Sequence, residues 1–185
     1  NNAFLRAAHR LTKNKKLKRI VNGFYVVIPT EYRLADGMPA SHYIDALMKF
    51  EGEPYYIGVL SAAAIHGASH QTPQELQVVT EKQFRTIRSG RSRIRFLKKT
   101  DISEVPLLSK NTPTGTIQIS TPEATAFDLI RYSHAAAGFN NIATVLTELS
   151  ETIDAKKLAK IAGKTESTYV QRLGFILDEV GARHL

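Results

Sequence analysis

The chain has 185 residues, 43% of them apolar and 23% charged, and its 25 Lys and Arg against 17 Asp and Glu leave a net charge of +8. That is the make-up of a globular protein, long enough for one sizeable domain or for a small one followed by a medium one. The lack of cysteine excludes disulfides, thiolate catalysis and any cysteine-ligated zinc or iron–sulfur centre. No apolar run reaches the ~18 residues of a membrane span, so a cytoplasmic protein with no membrane contact is expected.

Chemistry concentrates at the start. Placed on a helix at about 100° per residue, Asn2 to Lys13 puts Phe4, Ala8 and Leu11 on one apolar stripe and Asn2, Arg6, His9, Arg10 and Lys13 on the opposite side. Lys15, Lys16, Lys18 and Arg19 follow, and then two β-rich runs, Leu17–Val21 and Phe24–Ile28, flank Asn22-Gly23. That dipeptide suits a type I′ hairpin, in which both turn residues take positive φ. An amphipathic helix with a basic outer face, followed at once by a basic hairpin, is the second half of a winged helix-turn-helix. Its helix lies in the major groove and its wing reaches a flanking phosphate or the minor groove. From Asn1 to Arg33 there are eight Lys and Arg against Glu31 alone, which is seven of the chain's eight net positive charges. Charge concentrated in this way is a footprint for phosphate. The same pattern also serves as a solvated face. A winged helix carries one or two helices and a turn ahead of its recognition helix, so the chain is expected to begin inside the motif.

The segment from Pro29 to Pro39 reads as a connection, which places one domain at 1–33 and a second at 34–185. A helix is expected over Ala40–Phe50, with Tyr43, Ile44, Leu47 and Met48 inward, and another over Tyr56–His66, stopped by Gly67. His66 and His70 stand at metal-ligand spacing, but without a nearby acid they read as capping or surface residues, and no metal or cofactor is expected. Leu76–Thr80 is a strand. A turn at Ser89-Gly90 leads into strict alternation, with Arg91, Arg93 and Arg95 on one face and Ile94 and Phe96 on the other. Three arginines on one face repel unless an anion sits among them, so they mark either a solvated sheet face or a site for nucleic acid or an acidic protein.

Val105–Leu108 reads as a short strand, a turn-rich loop follows through Thr114-Gly115, and Thr116–Ser120 alternates as another strand. Thr121, Pro122 and Glu123 then form a helix start, with Thr121 as the N-cap, and the helix runs to about Tyr132. Asp128 lies among apolar residues, as a buried paired carboxylate or on a polar face. Helices are expected over Asn140–Ser150, over Ala155–Ala162 behind an Asp154 cap, and over Ser167–Val180. The fold class is therefore α+β with mixed α/β character: a partial winged helix-turn-helix, then a predominantly helical domain with a small β-sheet.

Several of these stretches resemble one family. LRAAHRLTKNKKLKRIVNGFYVVIP is similar to the closing half of the winged helix of AbiEi-type antitoxins. Tyr56-Ile57, Leu60-Ser61-Ala62 and Ile65-His66-Gly67 resemble the opening of that family's second domain. Gln71-Thr72-Pro73, the Leu76–Thr80 strand, Ser120-Thr121-Pro122-Glu123 with Ala126-Phe127-Asp128, and Arg172–Leu177 follow in the family's order. The resemblance implies a transcriptional autorepressor and antitoxin of a bicistronic, abortive-infection type system. Such a protein binds inverted repeats in its own promoter as double-stranded DNA and neutralises a nucleotidyltransferase-like toxin encoded nearby. Carried onto this chain, DNA contacts fall on Asn2, Arg6, His9, Arg10 and Lys13 of the helix and on Lys18, Arg19 and Asn22 of the wing. Arg91, Arg93 and Arg95 are the first candidates for the partner surface, on charge and alternation alone.

A regulator of DNA without a toxin partner fits the same residues. A metal-dependent nuclease fits less well, because that chemistry wants an acid and a lysine one residue apart on a strand beside a second acid. Glu81-Lys82, the nearest candidate, lacks the intervening residue. No phosphate-cradling glycine loop, nucleophile elbow or H-E-x-x-H motif occurs, and the six histidines (His9, His42, His66, His70, His134, His184) are scattered. The protein is expected not to be an enzyme.

Overall fold

The computed structural model describes residues 2–33, 38–68 and 75–185; the side chains of Asn2, Phe4 and Leu5 lie outside it. The junction at 34–37, His70 and Gln71-Thr72-Pro73 therefore lie outside the described residues. What is described is α+β, as expected from the sequence. A two-stranded hairpin and a six-stranded mixed sheet combine with helices that dominate the C-terminal half.

Helix α1 (Asn2–Lys13) leads into strands β1 (Leu17–Val21) and β2 (Phe24–Val27), which pair antiparallel. The turn differs from the expected type I′. Only Gly23 has positive φ, at +82°, and the register shifts between Arg19 and Val21. A bulge in the first strand thus supplies the twist that an I′ turn would otherwise provide. The hairpin's apolar side does not stand alone. Val26 and Ile28 share a core with Met38, Ile44, Leu47 and Met48, and Phe24 stacks on Phe50 with ring centroids 5.4 Å apart.

The helix expected over Ala40–Phe50 divides into a 3-10 turn at Ala40–His42 and helix α2 (Ile44–Glu51), which ends on Gly52 in the left-handed conformation (φ +70°). Its Ile44, Leu47 and Met48 are fully buried, each worth roughly 1.5–3 kcal/mol relative to exposure. The helix expected over Tyr56–His66 is wrong in its first part. Tyr55–Ile57 is strand β3, and helix α3 covers Val59–Ile65 only. Two aromatics and an isoleucine, all buried, sit between strands on both sides, and that pairing overrides helical periodicity.

The large sheet holds β4 (Leu76–Thr80), β5 (Ile87–Ser89), β6 (Ser92–Lys98), β7 (Leu107–Thr112) and β8 (Gly115–Ser120), in the order β5-β6-β4-β3-β8-β7. The stretch read as a turn-rich loop before Thr114-Gly115 is mostly β7, which pairs along its length with β8. Alternation sorts side chains to two faces. Ile57, Val78, Ile94, Phe96, Ile117 and Ile119 face α2 and the hairpin, while Tyr56 and Val79 face the other way. On that second side lies the helical layer: α4 (Pro122–Arg131), α5 (Phe139–Leu149), α6 (Ala155–Ala162) and α7 (Ser167–Glu179).

Helix α4 is the axis of that layer. Every residue from Glu123 to Ile130 is buried. Its start follows the sequence signal, since the Ala124 N–H donates to Thr121 Oγ1 at 3.4 Å with Pro122 at the first position. Asp154 caps α6 in the same way, accepting from the Lys157 N–H at 3.0 Å. The two caps are tied together, because buried Glu123 accepts the Asp154 N–H through Oε1 at 3.0 Å. Gln77 does similar work on β4: it accepts from the Leu60 N–H (2.9 Å) and donates to the Ala135 carbonyl (2.7 Å), joining the sheet to the start of α3 and to the turn after α4.

Candidate functional site

Three places on this scaffold carry chemistry. The first is the outer face of α1. Ala8 is buried, whereas Arg6, His9, Arg10 and Lys13 are exposed together on the side away from it. The side chains of Phe4 and Asn2 lie outside the described residues. On the hairpin the cations separate. Arg19 pairs with Tyr25 and is exposed, and Asn22 is exposed at the turn. Lys18 lies opposite buried Val26 and is half-buried on that inner side. The outward cations of the wing are therefore Arg19 and its neighbours Lys15 and Lys16, both exposed.

The second place is the β5–β6 edge. Arg91 is exposed in the turn ahead of β6, and so does not continue the strand face of Arg93 and Arg95 as expected. The anion that alternating arginines require is internal: Glu75 holds Arg93 Nε at 3.1 Å and Arg95 Nη1 at 3.3 Å. One carboxylate between two guanidiniums leaves the patch cationic, and exposed Arg88 lies directly opposite Arg93 in the β5–β6 ladder. Arg88 was not read from the sequence, because strand β5 is only three residues long and carries little periodic signal.

The third place is a cleft of about 690 Å³ between the β6–β7 connection, α4, α6 and the start of α7. Asp128 stands at its floor. It is 2% exposed, Tyr56 O–H donates to its Oδ1 at 3.1 Å, Lys99 Nζ stands 3.9 Å from the same oxygen, and Oδ2 has no hydrogen-bond partner among the described residues. The sequence left open whether this carboxylate was paired, and the structure answers with a tyrosine from β3 and a lysine just past β6. Burial pushes the Asp128 carboxyl up to about 6, against the opposing pull of Lys99. Burial likewise lowers the Lys99 ammonium, with Asp128 acting in the other direction. The Tyr56 hydroxyl is pushed up by burial first and by the neighbouring carboxylate second. For both members of the ion pair, desolvation outweighs their attraction, as expected of a long, buried contact.

Gly58 permits this arrangement. A Cβ there would come within 2.9 Å of Asp128 Oδ2 and 3.0 Å of both Tyr56 and Val79. The next residue, Val59, takes a φ of +53°, a true outlier for a β-branched side chain. The tight β3–α3 corner at Gly58–Val59 brings the strand's end against α4.

His66 has a structural duty: its Nε2 lies 2.7 Å from the Ser120 carbonyl oxygen, tying the end of α3 to β8. Glu81 Oε1 accepts the Ile102 N–H at 3.2 Å, and Lys82 Nζ stands 3.6 Å from Glu53. No group of three metal-ligating side chains occurs among the described residues.

The family model for the AbiEi antitoxin C-terminal domain matches residues 56–179, from the strand that carries Tyr56 to the last residue of α7. The chain belongs to that antitoxin family. The match spans the Tyr56–Asp128–Lys99 cluster, the cleft and the β5–β6 arginines, and it leaves α1 and the hairpin outside. Among curated proteins no sequence matches the chain. Among solved structures it is similar to the solution structure of the antibiotic-resistance factor ANT(2'')-Ia, at 14% identity and a TM-score of 0.41, over 71% of this chain and 91% of that one. No helix among the described residues is long and apolar enough to cross a membrane.

Proposed function

We propose that this AbiEi-family antitoxin belongs to a bicistronic, abortive-infection type system, represses its own promoter, and counteracts a nucleotidyltransferase-like toxin by binding rather than by catalysis. The DNA-binding part of the reading is carried by one observation. Arg6, His9, Arg10 and Lys13 form an exposed cationic face on α1, with exposed Arg19 on the hairpin that follows. Phosphate contacts from such a face position the protein, and the side chains nearest the helix start read base edges. Lys18, turned toward Val26, is assigned a supporting place in the wing. The antitoxin part is supported by family membership and by the cationic β5–β6 edge, where Arg91, Arg88 and the Glu75-bridged Arg93 and Arg95 offer a surface to an acidic partner.

Fluorescence anisotropy on the chain's own promoter and on a scrambled duplex, across a salt series, tests the first part. Affinity should fall steeply with salt, and Arg6→Ala should weaken promoter binding by about 1–3 kcal/mol if Arg6 reads a guanine. Equal loss on both duplexes would assign Arg6 to phosphate, and no promoter preference at any salt would overturn autorepression. Co-purification with the product of the neighbouring gene tests the second part. A toxin that still binds after Arg88, Arg91 and Arg93 are all changed to Glu would remove this edge from the interface.

A further inference from the structure

The cleft at the Asp128 floor is lined by five acids and five bases, but their engagement is unequal. Glu104 pairs with Lys164 at 2.9 Å, Glu166 with Arg131 at 3.2 Å, Glu123 accepts the Asp154 N–H, Asp101 accepts from Ser103, and Asp128 holds Tyr56 and Lys99. Each acid thus has a partner within the chain, Asp128 through Oδ1 alone. Lys157 and Lys160, one helical turn apart on α6, are exposed at the same cleft and ion-paired to nothing among the described residues; the Asp154 carboxylate near Lys157 is occupied as the α6 cap. With Ile161 they occupy one face of the helix, at i, i+3 and i+4, and Lys164 follows in the turn just past its end. Lys164 pairs with Glu104 and Lys157 lies within electrostatic reach of the Asp154 carboxylate, whereas no ion pair holds Lys160 among the described residues.

We propose that this cleft binds a nucleoside polyphosphate, with Lys157 and Lys160 on the phosphates and the nucleoside against Phe127, Ile161 and Tyr169. The two ammoniums are compact point charges of the kind that hold phosphate. The volume of about 690 Å³ falls within the range of small-molecule sites, roughly 300–1,000 Å³. The apolar and aromatic walls suit a base and ribose better than a lone anion. Lys99 and buried Asp128 close the floor. This assignment stands apart from the DNA-binding reading, which concerns a different face of the protein.

The test uses the full chain, with calorimetric titration of ATP, GTP, adenosine and inorganic triphosphate at constant ionic strength. Because the basic face of α1 also attracts polyphosphates, each titration is repeated in an Arg6→Ala/Arg10→Ala background. Saturable one-to-one binding of a nucleoside triphosphate is expected in that background, weakened about tenfold or more by Lys157→Ala/Lys160→Ala. Both lysines are exposed, so the variant should keep its circular dichroism and melting temperature. Amide resonances of Ala124, Phe127 and Ile161 should shift on addition of the nucleotide. Several results would overturn the proposal: no saturable binding up to about 5 mM, binding indifferent to the two lysines, or inorganic triphosphate binding as well as the nucleotides. Binding of a Glu-rich peptide in their place, dependent on the same lysines, would make the cleft a protein-recognition site and equally overturn it.

Discussion

Replacing Asp128 by Asn removes a charge from the most desolvated carboxylate described while keeping an oxygen to accept from Tyr56 O–H. Because burial raises the folded-state carboxyl to about 6 from the ordinary 3.8, the folded protein prefers the protonated form. Stability from this group is therefore complete below pH 3.8 and is lost as pH rises through about 6. A difference of about two pH units corresponds to about 3 kcal/mol in full. Asn imitates the protonated state, so Asp128→Asn should be nearly neutral in acid and stabilising at neutral pH. Urea unfolding followed by circular dichroism should show the variant's advantage growing by about 2 kcal/mol between about pH 4.5 and about pH 8. Lys99 sets the upper bound, since it loses its partner in the variant and is itself largely buried. An advantage that is constant across that pH range would refute the claim that desolvation governs this carboxylate. A destabilisation that deepens with pH would mean the Lys99 pair outweighs burial.

Gly58→Ala should cost about 1–3 kcal/mol by thermal melt, because the added methyl meets Asp128, Tyr56 and Val79 at 2.9–3.0 Å although the backbone φ of −130° is open to any residue. Glu123→Ala should cost about 1–3 kcal/mol in the same assay by leaving the Asp154 N–H without its acceptor. Glu75→Gln should change stability by under about 1 kcal/mol, since its arginines are substantially exposed. It should nevertheless tighten association with an acidic partner at low salt, an effect checked by titrating the partner with and without added salt.

Local pattern carried much of the element list. The strand Leu76–Thr80, the Thr121 and Asp154 caps and the last three helices are written in residues that act on their own neighbours: a hydroxyl or carboxylate reaching a backbone N–H three residues on, or apolar side chains repeating at a helical period. Tyr55–Ile57 shows where that reading fails. Its periodicity suited a helix, and only the strands β4 and β8 beside it make it a strand. The Asn22-Gly23 turn was legible as a turn, but its type depended on a bulge that pairing alone reveals.

For function the division follows the same physics. The sequence by itself determined the basic, amphipathic start of the chain, the arginine alternation and the ordered motifs of the antitoxin family, because charge, periodicity and spacing are properties of a linear string. Only the tertiary structure decided that Glu75 sits between Arg93 and Arg95, that Lys18 turns inward, and that Tyr56, Lys99 and Asp128 meet across a cleft. Apart from Lys18, which faces Val26 across its own hairpin, those partners lie between 18 and 72 residues apart, and which of them meet is set by sheet order and helix packing rather than by any local signal.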